Sequence, residues 1–331
     1  MEIVLVTPAS PDSRAGNRAT ANRWQRLLEQ SGHRVSVMTG YEGEPCDLLI
    51  ALHAWRSHKA IETFRHIWPE LPLIVVLTGT DIYRYQHSDP VPTLAAMAAA
   101  DVLIGLHDLV GEDITPEFHN KLVTLYQSAP TLSAKKRERA GKAFNVCVIG
   151  HLREEKDSLR AAMAARLLPT ESRIRVLCAG KAHNLQWQQR GRAEIAKNSR
   201  FLWYGELGRE DTGNLLVQSQ LMVISSVMEG GANVVSEACR AGVPVLASDI
   251  PGNRGLLGQD YAGYYPVADT QALAQLLERA ETDSGFLHTL TRQVKGLASR
   301  FTPERERRSL EQALDLARQR RHPRTVVSPS E

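Results

Sequence analysis

No stretch of this chain approaches the roughly 18 consecutive apolar residues that a membrane-spanning helix needs. Met1-Glu2 leads directly into Ile3-Val4-Leu5-Val6, with no basic n-region or cleavage site before it. The expectation is therefore a cytoplasmic protein with no membrane partner. Cysteine is scarce: Cys46, Cys147, Cys178 and Cys239 form no Cys-x-x-Cys pair, and no His/Cys cluster has zinc spacing. Structural thiols in a reducing compartment fit this pattern better than a disulfide frame or a metal site. An excess of charge of one sign is missing too. The net charge of +3 is too small to argue for nucleic acid, and much of the basic surplus lies between Arg305 and Arg324, as on a solvated helix face. Small anionic substrates stay open, because a few well-placed Arg and Lys suffice for them.

What is present is material for two domains: 331 residues, 43% hydrophobic and 23% charged. Short, nearly continuous apolar runs alternate with helical patterns. The runs are Ile3–Val6, Val35–Met38, Leu48–Leu52, Leu73–Leu77 and Val102–Leu106. Between the first two, Thr20–Gln30 places Trp24, Leu27 and Leu28 on one helical face. Strands buried on both faces and joined by helices make a parallel, doubly wound sheet. A polar linker, residues 131–143, precedes a second such series: Phe144–Ile149, Arg173–Ala179, Phe201–Tyr204, Leu221–Ile224 and Val243–Ala247. The expected architecture is α/β, with two Rossmann-like domains, residues 1–130 and 144–302, facing a central cleft. A helix over 303–321 is expected to pack back toward the first domain, followed by a frayed tail, 322–331.

The segment most charged with chemistry runs from Ser225 to Pro244. It follows the apolar run Leu221–Ile224 and enters a helix that Gly242, with Pro244 behind it, is placed to end. Gly230 and Gly231 let backbone approach a ligand closely. The amides of Ala232, Asn233 and Val234, at a helix N-terminus, suit an anion. Glu229 and Glu237 flank these amides. Carboxylates aimed at a phosphate would repel it, so they make better sense accepting hydrogen bonds from hydroxyls on either side of a diphosphate. A plain Gly-Gly turn with two solvated glutamates is the simpler alternative; the preceding strand and the Gly242-Val243-Pro244 exit favour the ligand site.

This Glu229-x7-Glu237 segment, continued by Ser248-Asp249-Ile250-Pro251-Gly252-Asn253-Arg254, resembles the signature of retaining GT-B glycosyltransferases of the family-4 type. The resemblance implies that Glu229 contacts donor-sugar hydroxyls and that Glu237 binds the nucleotide ribose. Upstream, Ile149-Gly150-His151-Leu152-Arg153-Glu154-Glu155-Lys156 resembles the family's Gly-Arg-Leu…Lys element, which neutralises the leaving diphosphate. Lys156 matches; His151 stands at the usual Arg position, and Arg153 is a candidate to carry that charge. No Asp-x-Asp occurs in the chain, so neither a metal-bridged diphosphate nor any other cofactor is expected.

In the first half, the loop Ser10–Arg18 offers Arg14, Gly16, Asn17 and Arg18 to an anionic acceptor, or is a surface loop with spare arginines. Thr78-Gly79-Thr80-Asp81 resembles a family turn near the transferred sugar, which makes Thr78 and Asp81 candidates; an N-cap is the other role open to Asp81. His53, closing another strand, is placed with the acceptor residues. Taken with Tyr126-Gln127-Ser128-Ala129-Pro130 and Met228–Glu237, the chain is similar to one branch, the selenosugar synthases of selenoneine biosynthesis. That branch implies transfer of N-acetylglucosamine from its UDP donor to selenophosphate. Two other readings stand beside it: an ordinary glycosyltransferase acting on a hydroxyl, and a sugar-nucleotide-binding protein without turnover.

Overall fold

The computed structural model describes residues 1–13, 16–132 and 143–322. Arg14, most of the polar linker and nearly all of the tail thus lie outside the described residues. The described chain forms two six-stranded sheets in which every ladder is parallel. The first contains β1 (Glu2–Val6), β2 (Arg34–Met38), β3 (Leu48–Leu52), β4 (Leu73–Leu77), β5 (Val102–Gly105) and β6 (Leu122–Thr124). The second contains β7 (Phe144–Ile149), β8 (Ile174–Ala179), β9 (Phe201–Trp203), β10 (Leu221–Ile224), β11 (Val245–Ser248) and β12 (Tyr264–Tyr265). Two compact units result: Met1–Gln127 with Pro303–Glu331, and Ser128–Thr302.

Strand order fixes where each sheet opens. The first runs β2-β1-β3-β4-β5-β6 and the second β12-β11-β10-β7-β8-β9. The winding therefore reverses between β1 and β3 in one sheet and between β7 and β10 in the other. At such a switch point the following loops diverge to opposite faces and leave a crevice at the strand carboxyl ends.

In the first unit, alternate residues of the central strands feed two cores. Ile3, Leu5, Ile50, Leu52, Ile74 and Val76 face one, and Val4, Val6, Leu49, Ala51, Val75 and Leu77 the other. The first core is closed by Trp24, Leu27 and Leu28 of the helix Gly16–Gln30, and by Leu310, Ala313, Leu314 and Ala317 of the helix Pro303–Arg321. Its seam holds a charge: Glu306 is 1% exposed. The Glu306 carboxylate accepts from Arg23 Nε at 2.9 and 3.1 Å and from Trp24 Nε1 at 2.7 Å. A buried carboxylate is tolerated only with such partners, and losing one strands the rest. Glu306→Ala should cost about 3–5 kcal/mol in urea unfolding, with Glu306→Gln, which still accepts from Trp24, falling between it and wild type.

Candidate functional site

In the second unit the chain leaving β7 is fixed by backbone on its β8 side. Gly150 N–H, just past β7, donates to Ala179 O at 2.9 Å, and Gly180 N–H, past β8, donates to Gly205 O at 2.7 Å. The chains pass so closely that a Cβ on Gly180 would lie 1.9 Å from Gly150 O. From this frame His151 and the turn Glu154–Lys156 emerge beside the loop that follows β10. Glu155 O accepts from Val227 N–H at 2.9 Å, which fastens the two loops together.

Across that junction Lys156 Nζ and the Glu229 carboxylate form a hydrogen-bonded ion pair, with side chains 21% and 9% exposed. Glu229 also accepts from the buried Ser226 hydroxyl. Beneath it, Ser248 Oγ donates to Ser226 O at 2.5 Å, and the fully buried Asn253 donates through Nδ2 to Ser248 O at 2.9 Å. The helix Pro251–Leu257 closes on Glu229 from behind, where a Cβ on Gly252 would come 2.1 Å from Glu229 O. Ser226, Ser248, Gly252 and Asn253 are thus parts of the site to which sequence reasoning gave no role.

Glu229 is followed by buried Gly230, half-buried Gly231 and the helix Asn233–Ala241. Ala232 stands at the N-cap with no side-chain cap, and Asn233 and Val234 occupy the first turn, where an α-helix makes no bonds of its own to its amides. Glu237 follows in the next turn, half-buried. Gly242 adopts φ +68°, its N–H bonding Cys239 O, and Val243 N–H returns to Ala238 O at 2.9 Å. That is the glycine stop read from the sequence. It also delays β11 to Val245, because Val243 still belongs to the helix cap.

His151 Nδ1 accepts from Lys181 N–H at 3.2 Å. Burial, with Arg153 and Lys156 nearby, lowers its pKa, so the ring is neutral and carries its proton on Nε2. Arg153 Nε is buried with no hydrogen bond among the described residues and lies 3.9 Å from Glu155 Oε2. Asp157, directly after Lys156, sits in the left-handed region at φ 42°, its carboxylate held by Arg160 Nε at 2.7 Å. Backbone of this kind in a non-glycine residue persists where surroundings dictate it, often beside a working group.

In the first unit, Gly16, Asn17 and Arg18 form the first turn of the helix Gly16–Gln30 rather than loop, which corrects the reading of Ser10–Arg18 as one polar loop. Arg18 has its Nε and Nη1 buried without hydrogen-bond partners among the described residues. Asp81 is fully buried, and its oxygens accept from the amides of Ala54, Thr78, Gly79 and Ile82 at 2.7–3.2 Å. The carboxylate binds the ends of β3 and β4 together; it acts as a positioning group, not the substrate-contacting residue expected, because no oxygen is left exposed. Thr78 is half-buried at the head of this turn. His53, ending β3, is 2% exposed with φ 76°, and faces Thr80 Oγ1 at 2.8 Å rather than open solvent. The cysteines are free, and burial pushes the Cys147, Cys178 and Cys239 thiols up to about 12, which leaves them unreactive.

Residues 131–296 match the family model described as glycosyl transferases group 1. Among solved structures, sucrose-phosphate synthase from Thermosynechococcus elongatus is 16% identical over 94% of this chain and 97% of its own, with a TM-score of 0.78. HepE from Anabaena, solved in complex with UDP-glucose, is 16% identical over 95% of this chain and 99% of its own, with a TM-score of 0.76. A glycosyltransferase from Rickettsia africae is 14% identical over 95% and 98%, with a TM-score of 0.72. The shared feature is the fold, and the GT-B pair of parallel α/β units expected from the sequence is the one observed.

Close packing behind Glu229 has a direct test. Gly252→Ala should destabilise the protein by about 1–3 kcal/mol through overpacking. Gly296→Ala, on a helix where an added Cβ meets nothing within 4 Å, should stabilise it by about 0.5–1 kcal/mol. Denaturant unfolding of both variants checks the pair.

Proposed function

The chain belongs to the group 1 glycosyl transferases, and on that premise we propose that it carries N-acetylglucosamine from UDP-N-acetylglucosamine to selenophosphate. The bond from the anomeric carbon to the diphosphate breaks with its electrons remaining on UDP, and a selenium lone pair forms the C–Se bond. The observation that carries the donor half is the ion pair of Lys156 and Glu229 at the β7/β10 switch point. In this reading the donor takes the pair apart. Lys156 turns its charge to the diphosphate, and Glu229 accepts from hydroxyls of the sugar.

The first-turn amides of Ala232, Asn233 and Val234 receive phosphate oxygens, with the helix dipole favouring the charge. Glu237 takes the ribose hydroxyls. His151 offers an Nε2–H donor where the family resemblance implies a cation, and Arg153 supplies the missing charge. Gly230 and Gly231 keep side chains out of the way. Departure of UDP therefore leans on protein charge rather than on a metal.

Support for an anionic acceptor comes from Arg18, whose buried Nε and Nη1 lack partners among the described residues. Leaving such donors unpaired costs stability unless a ligand completes them. Gly16 and Asn17 provide open backbone beside it. Selenophosphate is a soft, small anion and needs a cationic pocket more than a general base. One observation favours a second acceptor class, a sugar hydroxyl: Trp55 and Tyr85 stack at 3.8 Å between ring centroids, near the same strand ends, and an aromatic face suits a sugar ring.

Incubation with UDP-N-acetylglucosamine and selenophosphate, thiophosphate, a simple sugar or no acceptor separates these readings by product mass. A selenium-containing glycoside is expected. UDP release with a sugar acceptor alone moves the assignment to the second class. Lys156→Ala should lower kcat by about 10²–10³-fold, whereas Glu237→Ala should chiefly weaken UDP binding, by about tenfold, in calorimetric titration.

A further inference from the structure

Two histidines of the first unit follow β3 and β5, the strands on either side of β4, and each is oriented by a backbone amide. Leu109 N–H donates to His107 Nδ1 at 3.2 Å, and Arg56 N–H donates to His53 Nδ1 at 3.2 Å. Burial lowers both ring pKa values, His107 to about 4. In a neutral ring whose Nδ1 accepts, the proton resides on Nε2. The direction of every later bond in each chain is then fixed.

The two chains end differently. His107 Nε2–H donates to the Tyr83 hydroxyl at 3.0 Å, and Tyr83 O–H donates to Asp113 Oδ2 at 3.1 Å. That proton finishes on a carboxylate, so the chain is closed and braces the turn Asp81–Tyr85, a π-helical turn, against the segment after β5. His53 Nε2–H donates to Thr80 Oγ1 at 2.8 Å. Thr80 makes no capping bond, and among the described residues nothing accepts its proton. Asp81 beneath it has committed its oxygens to amides. A hydroxyl that already accepts a bond is polarised toward donation. Thr80 is half-buried.

We propose that the Thr80 hydroxyl, held as a donor by His53, contacts an oxygen of the anionic acceptor, a phosphate-type group. An oxyanion is favoured over a hydroxyl because a charged acceptor makes the stronger bond with a polarised donor. Topology agrees: β1, β3 and β4 are consecutive in the sheet, so Arg18 after β1, His53 after β3 and Thr80 after β4 share one carboxyl edge, at the switch point. The strain at His53, a non-glycine residue at φ 76°, is accounted for as the cost of setting this ring under Thr80. The inference rests on the transferase reading for the identity of its ligand, not for the hydrogen-bond direction.

Calorimetric titration of the full chain with thiophosphate, and separately with UDP, tests it in wild type, Thr80→Val and Thr80→Ser. Thr80→Val, isosteric but without the hydroxyl, should weaken thiophosphate binding by about fivefold or more and leave UDP binding and the melting temperature near wild type. Thr80→Ser should bind thiophosphate like wild type. Equal binding by wild type and Thr80→Val overturns the assignment, as does an equal loss in Thr80→Ser. Wild type that binds UDP but no thiophosphate overturns this contact and leaves the donor site standing. Thiophosphate binding that depends on Thr80 in a chain with no affinity for UDP upholds the contact and overturns the donor reading.

Discussion

A lysine and a glutamate from different loops meet at the switch point of the second sheet, and much of that unit serves to place them. Neither group would give up its hydration without the other, since a largely buried charge needs an opposite charge and hydrogen bonds. Lys156 reaches Glu229 because Glu155 O holds Val227 N–H, and Glu229 stays where it is because Ser226 bonds it and Gly252 backs it. Behind Ser226 the order continues through Ser248 to Asn253. The pair is thus the visible end of a hydrogen-bonded stack that reaches from β10 to β11 and the helix after it.

The first unit solves a different problem. Its carboxyl edge carries polar groups whose bonds are mostly complete: Asp81 is covered by amides, and the His107–Tyr83–Asp113 chain ends on a carboxylate. Against this background, Nε and Nη1 of Arg18 and the hydroxyl of Thr80 have no acceptor among the described residues. In the proposed reading, these donors meet an anion, as the Lys156–Glu229 pair meets a phosphate and a sugar.

The fold was legible because parallel strands covered on both faces have to be written as continuous apolar runs, and β1, β3, β4, β5, β10 and β11 are just that. The strands missed, Leu122–Thr124 and Tyr264–Tyr265, are edge strands of three and two residues. Too short and too little buried to leave a pattern, they owe their form to the neighbours they pair with. Helix onset at Gly16 was hidden because Gly-Asn-Arg has no apolar period; the pattern starts only at Thr20. In the candidate site, Glu229, Glu237 and Lys156 were readable as motif positions, but the contact between Lys156 and Glu229 crosses 73 residues of sequence. The same holds for Asp81, whose covering depends on Ala54 from another strand, and for Thr80, whose meaning comes from His53. Hydrogen-bond direction is a property of assembled loops and leaves no trace in spacing.

The central claim is that Glu229 pairs with Lys156 and exchanges it for the sugar when the donor binds. Affinities of UDP and of UDP-N-acetylglucosamine for wild type and Glu229→Gln test it most directly. Removing the carboxylate frees Lys156 and lifts a repulsion from the diphosphate, so UDP should bind more tightly. The sugar nucleotide loses its charged acceptor and should bind less tightly. Opposite shifts are the predicted result, and shifts of the same sign, or none, would contradict the account.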